Sequence, residues 1–388
     1  MERDGLDGLV ASTLENFFYL SGIWNLGQEL FPHDAQAYVV ATRVRPDAGT
    51  LIVSVGEADL TLEAYPSISG AITYGTFFRE LPEGVELSDD ERRVWEITYQ
   101  QQPKPDVFEA LAAALEASGL TSGTIGVDER GPNRDLLDQL RSRFPQLEVR
   151  PAAQTFRQIR MVKTPEERTR MLGALRATEH ALRTTLNAAR EGVTERELAH
   201  VFEQAIVEQG ARPGFTLLRF GRGMALGQVA PGETRLGKGD YIWFDVGCTY
   251  QGYRSDIGRV VSFGEPSQKL RTLYEASKAG QSRAFELMTP GRPACDVFHG
   301  AVERVQQVGI PHYRRHHVGH GIGVEYYDLP ILNPRTEIPL EAGMVFEVET
   351  PYYEFGFGGA FIEDTVVVTD NGVEILTELP RDLQVIGA

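Results

Sequence analysis

Tyr241-Ile-Trp-Phe-Asp245-Val-Gly-Cys-Thr-Tyr-Gln-Gly-Tyr-Arg-Ser-Asp256-Ile-Gly-Arg-Val-Val261 reads as two apolar strands folded about a turn near Tyr250–Gly252. If the hairpin is symmetric about Tyr250 and Gln251, Asp245 and Asp256 lie directly opposite each other, with Cβ atoms roughly 4.5–5.5 Å apart. A second stretch repeats the device. Gly343-Met-Val-Phe-Glu347-Val-Glu349-Thr-Pro-Tyr-Tyr353 runs through Glu354–Gly359 and returns as Ala360-Phe-Ile-Glu363-Asp364-Thr-Val-Val-Val368. A turn centred on Gly356 sets Glu349 against Glu363. Each hairpin therefore places two carboxylates side by side on strands rich in Val, Ile and Phe.

Like charges so placed repel, and burying each costs several kcal/mol unless a cation compensates. One pair alone could be solvated at a turn or could share a proton. Two pairs in one domain point to metal. Four carboxylates and one imidazole suit two hard or borderline divalent ions, manganese first, then cobalt or zinc. The imidazole is expected from Arg315-His316-His317-Val-Gly-His320-Gly-Ile-Gly323. Four of the eight histidines fall between His312 and His320, and the glycines beside His320 allow close approach. The candidate metal ligands are thus Asp245, Asp256, His320, Glu349 and Glu363. Glu347 and Glu354 are expected to face solvent or serve the turn, although Glu347 shares a pleat face with Glu349. Cys248 is expected to be structural, and His180, His200 and His299 to be packing residues.

At these residues the chain resembles the metallopeptidases of the pita-bread fold, most closely the prolidase and aminopeptidase P branch. The matching signatures are Gly239-Asp240 leading into Asp245-Val-Gly; Tyr253-Arg-Ser-Asp256; Gly319-His320-Gly-Ile-Gly323; Gly343-Met-Val-Phe346 leading into Glu349; and Ile362-Glu363-Asp364-Thr365. Lys163-Thr-Pro-Glu-Glu167 and Asn16-Phe-Phe-Tyr-Leu-Ser-Gly22 extend the resemblance over almost the whole chain. It implies hydrolysis of the bond preceding proline, in a homodimer acting on small proline-containing peptides. It implies that Asp245 chelates one ion, that Asp256 and Glu363 bridge both, and that His320 and Glu349 complete the other shell. Glu349 would also move the proton, His316 would contact the substrate or the developing oxyanion, and Tyr353 matches an active-site tyrosine.

Three positions depart from the family pattern. A histidine followed by Glu is replaced by Tyr327-Asp328, another histidine falls on Gln228, and an arginine two residues before the last Glu is Phe361. Tyr327 becomes a candidate substrate-binding group in the histidine's place, with Arg222 or Arg254 as candidate sources of charge. The compact first domain, the lost arginine, and the bulk of Tyr327, Phe355 and Phe357 favour an enclosed cleft. That favours Xaa-Pro dipeptides over the longer peptides trimmed by aminopeptidase P. A metal-dependent lyase or a non-catalytic binding module on the same fold is the alternative.

Outward from the hairpins, residues 1–155 read as a smaller α/β domain. Short apolar runs at Gly8–Ala11, Ala37–Ala41, Leu51–Val55 and Thr124–Val127 alternate with helical patterns at Asp106–Ser118 and Arg134–Phe144. Residues 156–388 read as the α+β, pita-bread catalytic domain. It opens with Thr164-Pro165-Glu166-Glu167, an N-cap, a first-turn proline and a capping Glu, and Thr194 with Glu197 forms a second capping box. A balance of 38 Lys+Arg against 55 Asp+Glu repels phosphate backbones, so no nucleic acid is expected as partner. Two cysteines make no disulfide framework, and no run of 18 apolar residues or apolar signal core is present, so a cytoplasmic protein with no membrane contact is expected.

Overall fold

The computed structural model describes residues 1–387, which fall into two units, Met1–Gln158 and Ile159 onward. In the first unit a six-stranded sheet runs in the order Ile68–Tyr74, Gly49–Ser54, Tyr38–Thr42, Gly8–Ala11, Gly123–Val127, Leu147–Pro151. Successive side chains of a strand point to opposite faces, and here both faces are covered. Val10, Val40 and Ile52 pack with Leu111 and Leu115 of the helix Val107–Ala117, while Leu9, Val39 and Leu51 pack with Phe17 and Phe156. The outer strands show why they escape a hydrophobicity reading. Ile68–Tyr74 exposes Ser69 and Gly70, and Leu147–Pro151 alternates buried and exposed before ending in a proline that an edge tolerates.

The second unit begins where the capping boxes indicate. Thr164 accepts from the Glu167 N–H while Glu167 accepts from the Thr164 N–H, opening the helix Pro165–Ala188; Thr194 and Glu197 do the same for Glu195–Glu208. These two helices back a sheet ordered Gln384–Ile386, Ile257–Phe263, Tyr241–Tyr250, Arg212–Phe220, with Leu175, Leu182, Leu198 and Phe202 against Leu218, Ile242, Phe244 and Val246. A second pair, Gln268–Leu287 and Ala294–Val308, backs a sheet ordered Asp328–Ile331, Gly319–Gly321, Val345–Glu349, Glu363–Thr369, Gly372–Ile375.

The two sheets meet at a bridge between Arg259 and Ile362. Arg259 is 3% exposed, donates to the Glu363 carbonyl and the Asp364 carboxylate, and reaches the Pro380 carbonyl at 3.3 Å. A buried guanidinium is tolerated only when so fully partnered. The clamp fixes the strand that carries Glu363 against the strand beside Asp245. Among the described residues no helix is long and apolar enough to cross a membrane.

Candidate metal centre

The first hairpin turns about Gln251 and Gly252, two residues out of step with the symmetric reading of the sequence. Tyr250 pairs with Tyr253 and Thr249 with Arg254, and the same register sets Asp245 opposite Gly258 rather than Asp256. The reason is turn chemistry. A two-residue turn that follows the strand twist needs positive φ at both central positions, and Gln251 (48°) with Gly252 (83°) supplies it. A slip of two keeps every side chain on its face. Asp256, at the break before Ile257, therefore still feels the charge of Asp245. Gly258 leaves room for Phe361, whose ring would lie 2.2 Å from a Cβ there.

The second hairpin turns on Gly356, at φ 84°, as the sequence indicates. Glu349 pairs with Glu363, Tyr352 with Ala360 and Glu354 with Gly358. His320 lies on the short strand Gly319–Gly321, opposite Glu347. Gly319 has φ 146°, and a Cβ on it would stand 2.3 Å from the Glu347 carbonyl.

These elements bring Asp256, His320 and Glu363 together, with one donor atom from each within 4.8 Å of the others and all three residues buried. Burial, then the charge of Asp245, holds Asp256 well above the usual carboxylate range; burial, then Asp256 and Glu349, does the same to Glu363. Burial and then Glu349 push Asp245 up to about 8, with Arg315 opposing. Asp256 Oδ1, Glu363 Oε2 and Glu347 Oε2 are buried with no hydrogen-bond partner among the described residues. His320 is moved down to about 4, mainly by burial, and is neutral. Its Nδ1 lies 3.1 Å from the Gly321 carbonyl, which can only accept, so Nδ1 carries the proton and Nε2 the free lone pair. Orphaned carboxylate oxygens around an oriented, neutral imidazole fit hard or borderline divalent cations.

Glu347 overturns the expectation of a solvent-facing residue. It is fully buried, accepts from Thr365 Oγ1 at 3.0 Å, and stands in the strand Val345–Glu349, where every residue is buried. Glu354 is half-buried, paired with Lys269 and with the Tyr352 hydroxyl at 3.2 Å. Cys248 is wholly buried; Sγ donates to the Ala174 carbonyl at 3.2 Å and accepts from Thr178 Oγ1 at 3.3 Å.

Around Glu349 stand two residues that no motif singled out. His317 Nδ1 is 3.2 Å from Oε1, and Arg315 Nη2 is 3.4 Å from Oε2. His316 is exposed and meets the His317 ring edge-on, with centroids 4.3 Å apart. The run of histidines was the available signal; which of the neighbours turns inward was not. Tyr327 stacks flat on His320, centroids 3.8 Å apart at 17°, and is 48% exposed. Tyr353 is edge-on to Trp243, with the Arg315 guanidinium 5.9 Å from its ring. Burial and the neighbouring carboxylates raise both phenols, which remain neutral hydrogen-bond donors.

The outer residues sort differently from the sequence expectation. Phe355 is 84% exposed at the hairpin tip, and Phe357 packs on Tyr241 beneath Lys269, so of the three bulky residues Tyr327 is the one touching the cluster. Phe361 is core, beside Trp243. Gln228 and Arg222 are exposed. Arg254 is committed to the Val324 carbonyl, Thr249 Oγ1 and the face of Tyr326. Asp328 is fully buried, 3.0 Å from Arg160 Nη2 and 3.6 Å from Lys163 Nζ.

An α+β catalytic unit with a carboxylate-and-histidine cluster between paired hairpins, following a smaller α/β unit, is the architecture of the pita-bread metallopeptidases. Residues 169–370 match metallopeptidase family M24, and residues 1–162 match the creatinase/prolidase N-terminal domain. The chain belongs to metallopeptidase family M24. It is 33% identical over 229 residues to an uncharacterized peptidase of Staphylococcus aureus strain MSSA476, a match over 58% of this chain and 65% of that relative. Among solved structures, dipeptidase PepE from Mycobacterium ulcerans is 27% identical, with a TM-score of 0.77 over 99% of this chain and 94% of its own. An X-Pro aminopeptidase from Thermotoga maritima MSB8 is 25% identical, with a TM-score of 0.78 over 99% and 97%.

Proposed function

We propose that this protein is a two-metal peptidase hydrolysing the bond that precedes proline, with Xaa-Pro dipeptides as its substrates. The observation that carries the reading is the buried cluster of Asp256, His320 and Glu363, flanked by Asp245 and Glu349, whose orphaned oxygens call for cations. Asp245, Asp256, His320, Glu349 and Glu363 would hold the ions, with manganese first because the donors are mostly oxygen. Such a pair, when bound, supplies Lewis acidity and a hydroxide nucleophile near neutral pH.

The chain's own residues supply the rest. Glu349 is placed to accept the proton of the attacking water and return it to the prolyl nitrogen, which as a tertiary amide nitrogen must be protonated to leave. His317, 3.2 Å away, orients the Glu349 carboxylate. Tyr327 and Tyr353, neutral phenols on two sides of the cluster, offer hydrogen bonds to the substrate. The exposed His316 is positioned to meet bound peptide rather than metal. The family resemblance favours a homodimer, which light scattering decides.

Metal analysis with product analysis on Ala-Pro and Ala-Pro-Ala tests the reading. We expect about two ions per chain after Mn²⁺ loading, cleavage of Ala-Pro, and loss of most turnover in Glu349→Gln. A chain that takes up no metal and cleaves neither peptide under Mn²⁺, Co²⁺ or Zn²⁺ refutes it. Cleavage of Ala-Pro-Ala alone would replace the dipeptidase assignment by an aminopeptidase P activity.

A further inference from the structure

The ladder of the first hairpin is interrupted just where it delivers Asp256, and side chains make the interruption. Regular strand stops at Arg254 and resumes at Ile257. Counted back from the turn, the register sets Ser255 opposite Cys248 and Asp256 opposite Gly247. In an unbroken antiparallel ladder Cys248 and Ser255 would exchange two backbone bonds. One is made, from the Ser255 N–H to the Cys248 carbonyl at 3.0 Å. The other is replaced: the Cys248 N–H donates to Ser255 Oγ at 3.2 Å. The Ser255 carbonyl lies instead over Gly247, where a Cβ would stand 2.1 Å from it. A hydroxyl thus stands in for a carbonyl, and the peptide joining Ser255 to Asp256 is turned out of the ladder.

The exchange is held from behind. Thr178, on the helix Pro165–Ala188, places Oγ1 2.7 Å from Ser255 Oγ, and both residues are buried. A hydroxyl has one proton and two lone pairs, so Ser255 can serve the Cys248 N–H and Thr178 together. The Cys248 thiol is dispensable here, since Ser255 accepts from the backbone N–H and Sγ turns to the Ala174 carbonyl. Gly247 is not dispensable, because a Cβ there meets the displaced carbonyl.

The residue so redirected is Asp256, which has a donor atom within 4.8 Å of those of His320 and Glu363. Its Oδ1 is buried with no hydrogen-bond partner among the described residues. Local breaks in pairing that re-aim a side chain are common beside active sites. With a single carbon between backbone and carboxylate, Asp256 cannot swing to offset a turned peptide as a longer Glu could. The conformation of its own backbone therefore decides whether its oxygens reach the cluster.

We propose that Ser255 is a positioning residue for metal binding: its hydroxyl, locked by Thr178 and given room by Gly247, replaces its carbonyl in the ladder and so aims Asp256 at His320 and Glu363. This rests on the metal-ligand reading above and goes beyond it.

Calorimetric titration of chelator-stripped protein with Mn²⁺ tests it, with melting followed in parallel. Ser255→Ala should weaken Mn²⁺ binding roughly 10- to 100-fold, the scale for losing a group that orients a ligand. Gly247→Ala, on the other strand, should do the same by forcing the Ser255 carbonyl away. Thr178→Val should weaken binding in the same direction, and Thr178→Ser, which keeps the hydroxyl, should bind as wild type does. Cys248→Ala should melt lower yet bind Mn²⁺ as wild type does, which separates positioning from stability. Wild-type affinity in Ser255→Ala, or an equal loss in Cys248→Ala, would make the hydroxyl a packing contact and overturn the proposal. If Ser255→Ala does not fold, the Thr178 pair decides, and equal affinities in Thr178→Val and Thr178→Ser overturn it. A wild type that binds Mn²⁺ but cleaves neither Ala-Pro nor Ala-Pro-Ala refutes the peptidase reading alone; one that takes up no Mn²⁺ refutes both.

Discussion

Replacing a carboxyl that must take up a proton on folding by a neutral amide should make the metal-free protein more stable, and Asp245→Asn is the cleanest case. Folding raises the Asp245 carboxyl from 3.8 to about 8, chiefly by burial and then by Glu349. The folded state therefore holds a proton that the unfolded state releases between about pH 4 and 8. Stability contributed this way is lost as pH rises through that window. At pH 7 the gap amounts to about 4 kcal/mol against folding. Partial exposure of Asp245 and the cost of burying an amide reduce the gain, leaving about 2 kcal/mol, or a rise of roughly 4–8 °C in Tm for a domain of this size. Metal reverses the order. Wild type gains about 2.7 kcal/mol at a hundredfold excess of ion over Kd, and the Asn variant, short of one ligand, gains less. Calorimetry on chelator-stripped protein at pH 5 and pH 7, with and without Mn²⁺, reads all of this. Stripped wild type should melt lower at pH 7 than at pH 5, and stripped Asp245→Asn should melt above stripped wild type at pH 7. A stripped variant that melts at or below wild type, with an unchanged response to Mn²⁺, would refute the reasoning.

Three further outcomes follow from the packing. Gly319→Ala places a Cβ 2.3 Å from the Glu347 carbonyl at φ 146° and should cost at least about 2 kcal/mol in urea unfolding. Asp328→Leu strips the buried Lys163 of its carboxylate, 3.6 Å away, and should cost about 3–5 kcal/mol by the same assay, whereas a solvated pair would cost under about 1. Cys248→Ala should leave the metal stoichiometry unchanged and cost about 1–2 kcal/mol, because its thiol bonds Ala174 and Thr178 and lies outside the cluster; loss of an ion would mark it a ligand.

What the sequence made legible was local. Capping boxes at Thr164 and Thr194 name their helices because the pairing residue is three positions away. Glu349 and Glu363 could be matched because Gly356 marks the centre of a symmetric loop. Asp245 and Asp256 were set opposite each other wrongly because apolar patterning gives the face of a strand but not its register, which the positive φ of Gln251 and Gly252 decides. Glu347 was misjudged since a strand buried on both sides has no solvent face for periodicity to reveal. Arg259 sits in the apolar run Ile257–Phe263, and its carboxylate partner lies 105 positions away, beyond any local rule. His317 and Arg315 lie on an irregular loop, where no period says which side chain turns inward.

The remaining acids of the interior show why the cluster differs from ordinary buried charge. Asp364 has Arg259 and Arg381, Asp328 has Arg160 and Lys163, Glu179 has Arg176 and two backbone N–H groups, and Glu195 has Arg219 and two more. Asp128, with no cation paired to it among the described residues, accepts from Thr13 and Asn16. Each of these has a cation within ion-pair distance or donors from the chain's own residues, although Asp328, like Glu347, keeps oxygens with no hydrogen-bond partner among the described residues. Asp256 and Glu363 instead face each other with an oxygen apiece left over, while Arg259, close enough to neutralise Glu363, is turned onto its carbonyl. A cation available to the fold is thus directed at the backbone that positions the acid and away from the acid itself. That division leaves the charge on those two side chains available to the cations proposed above.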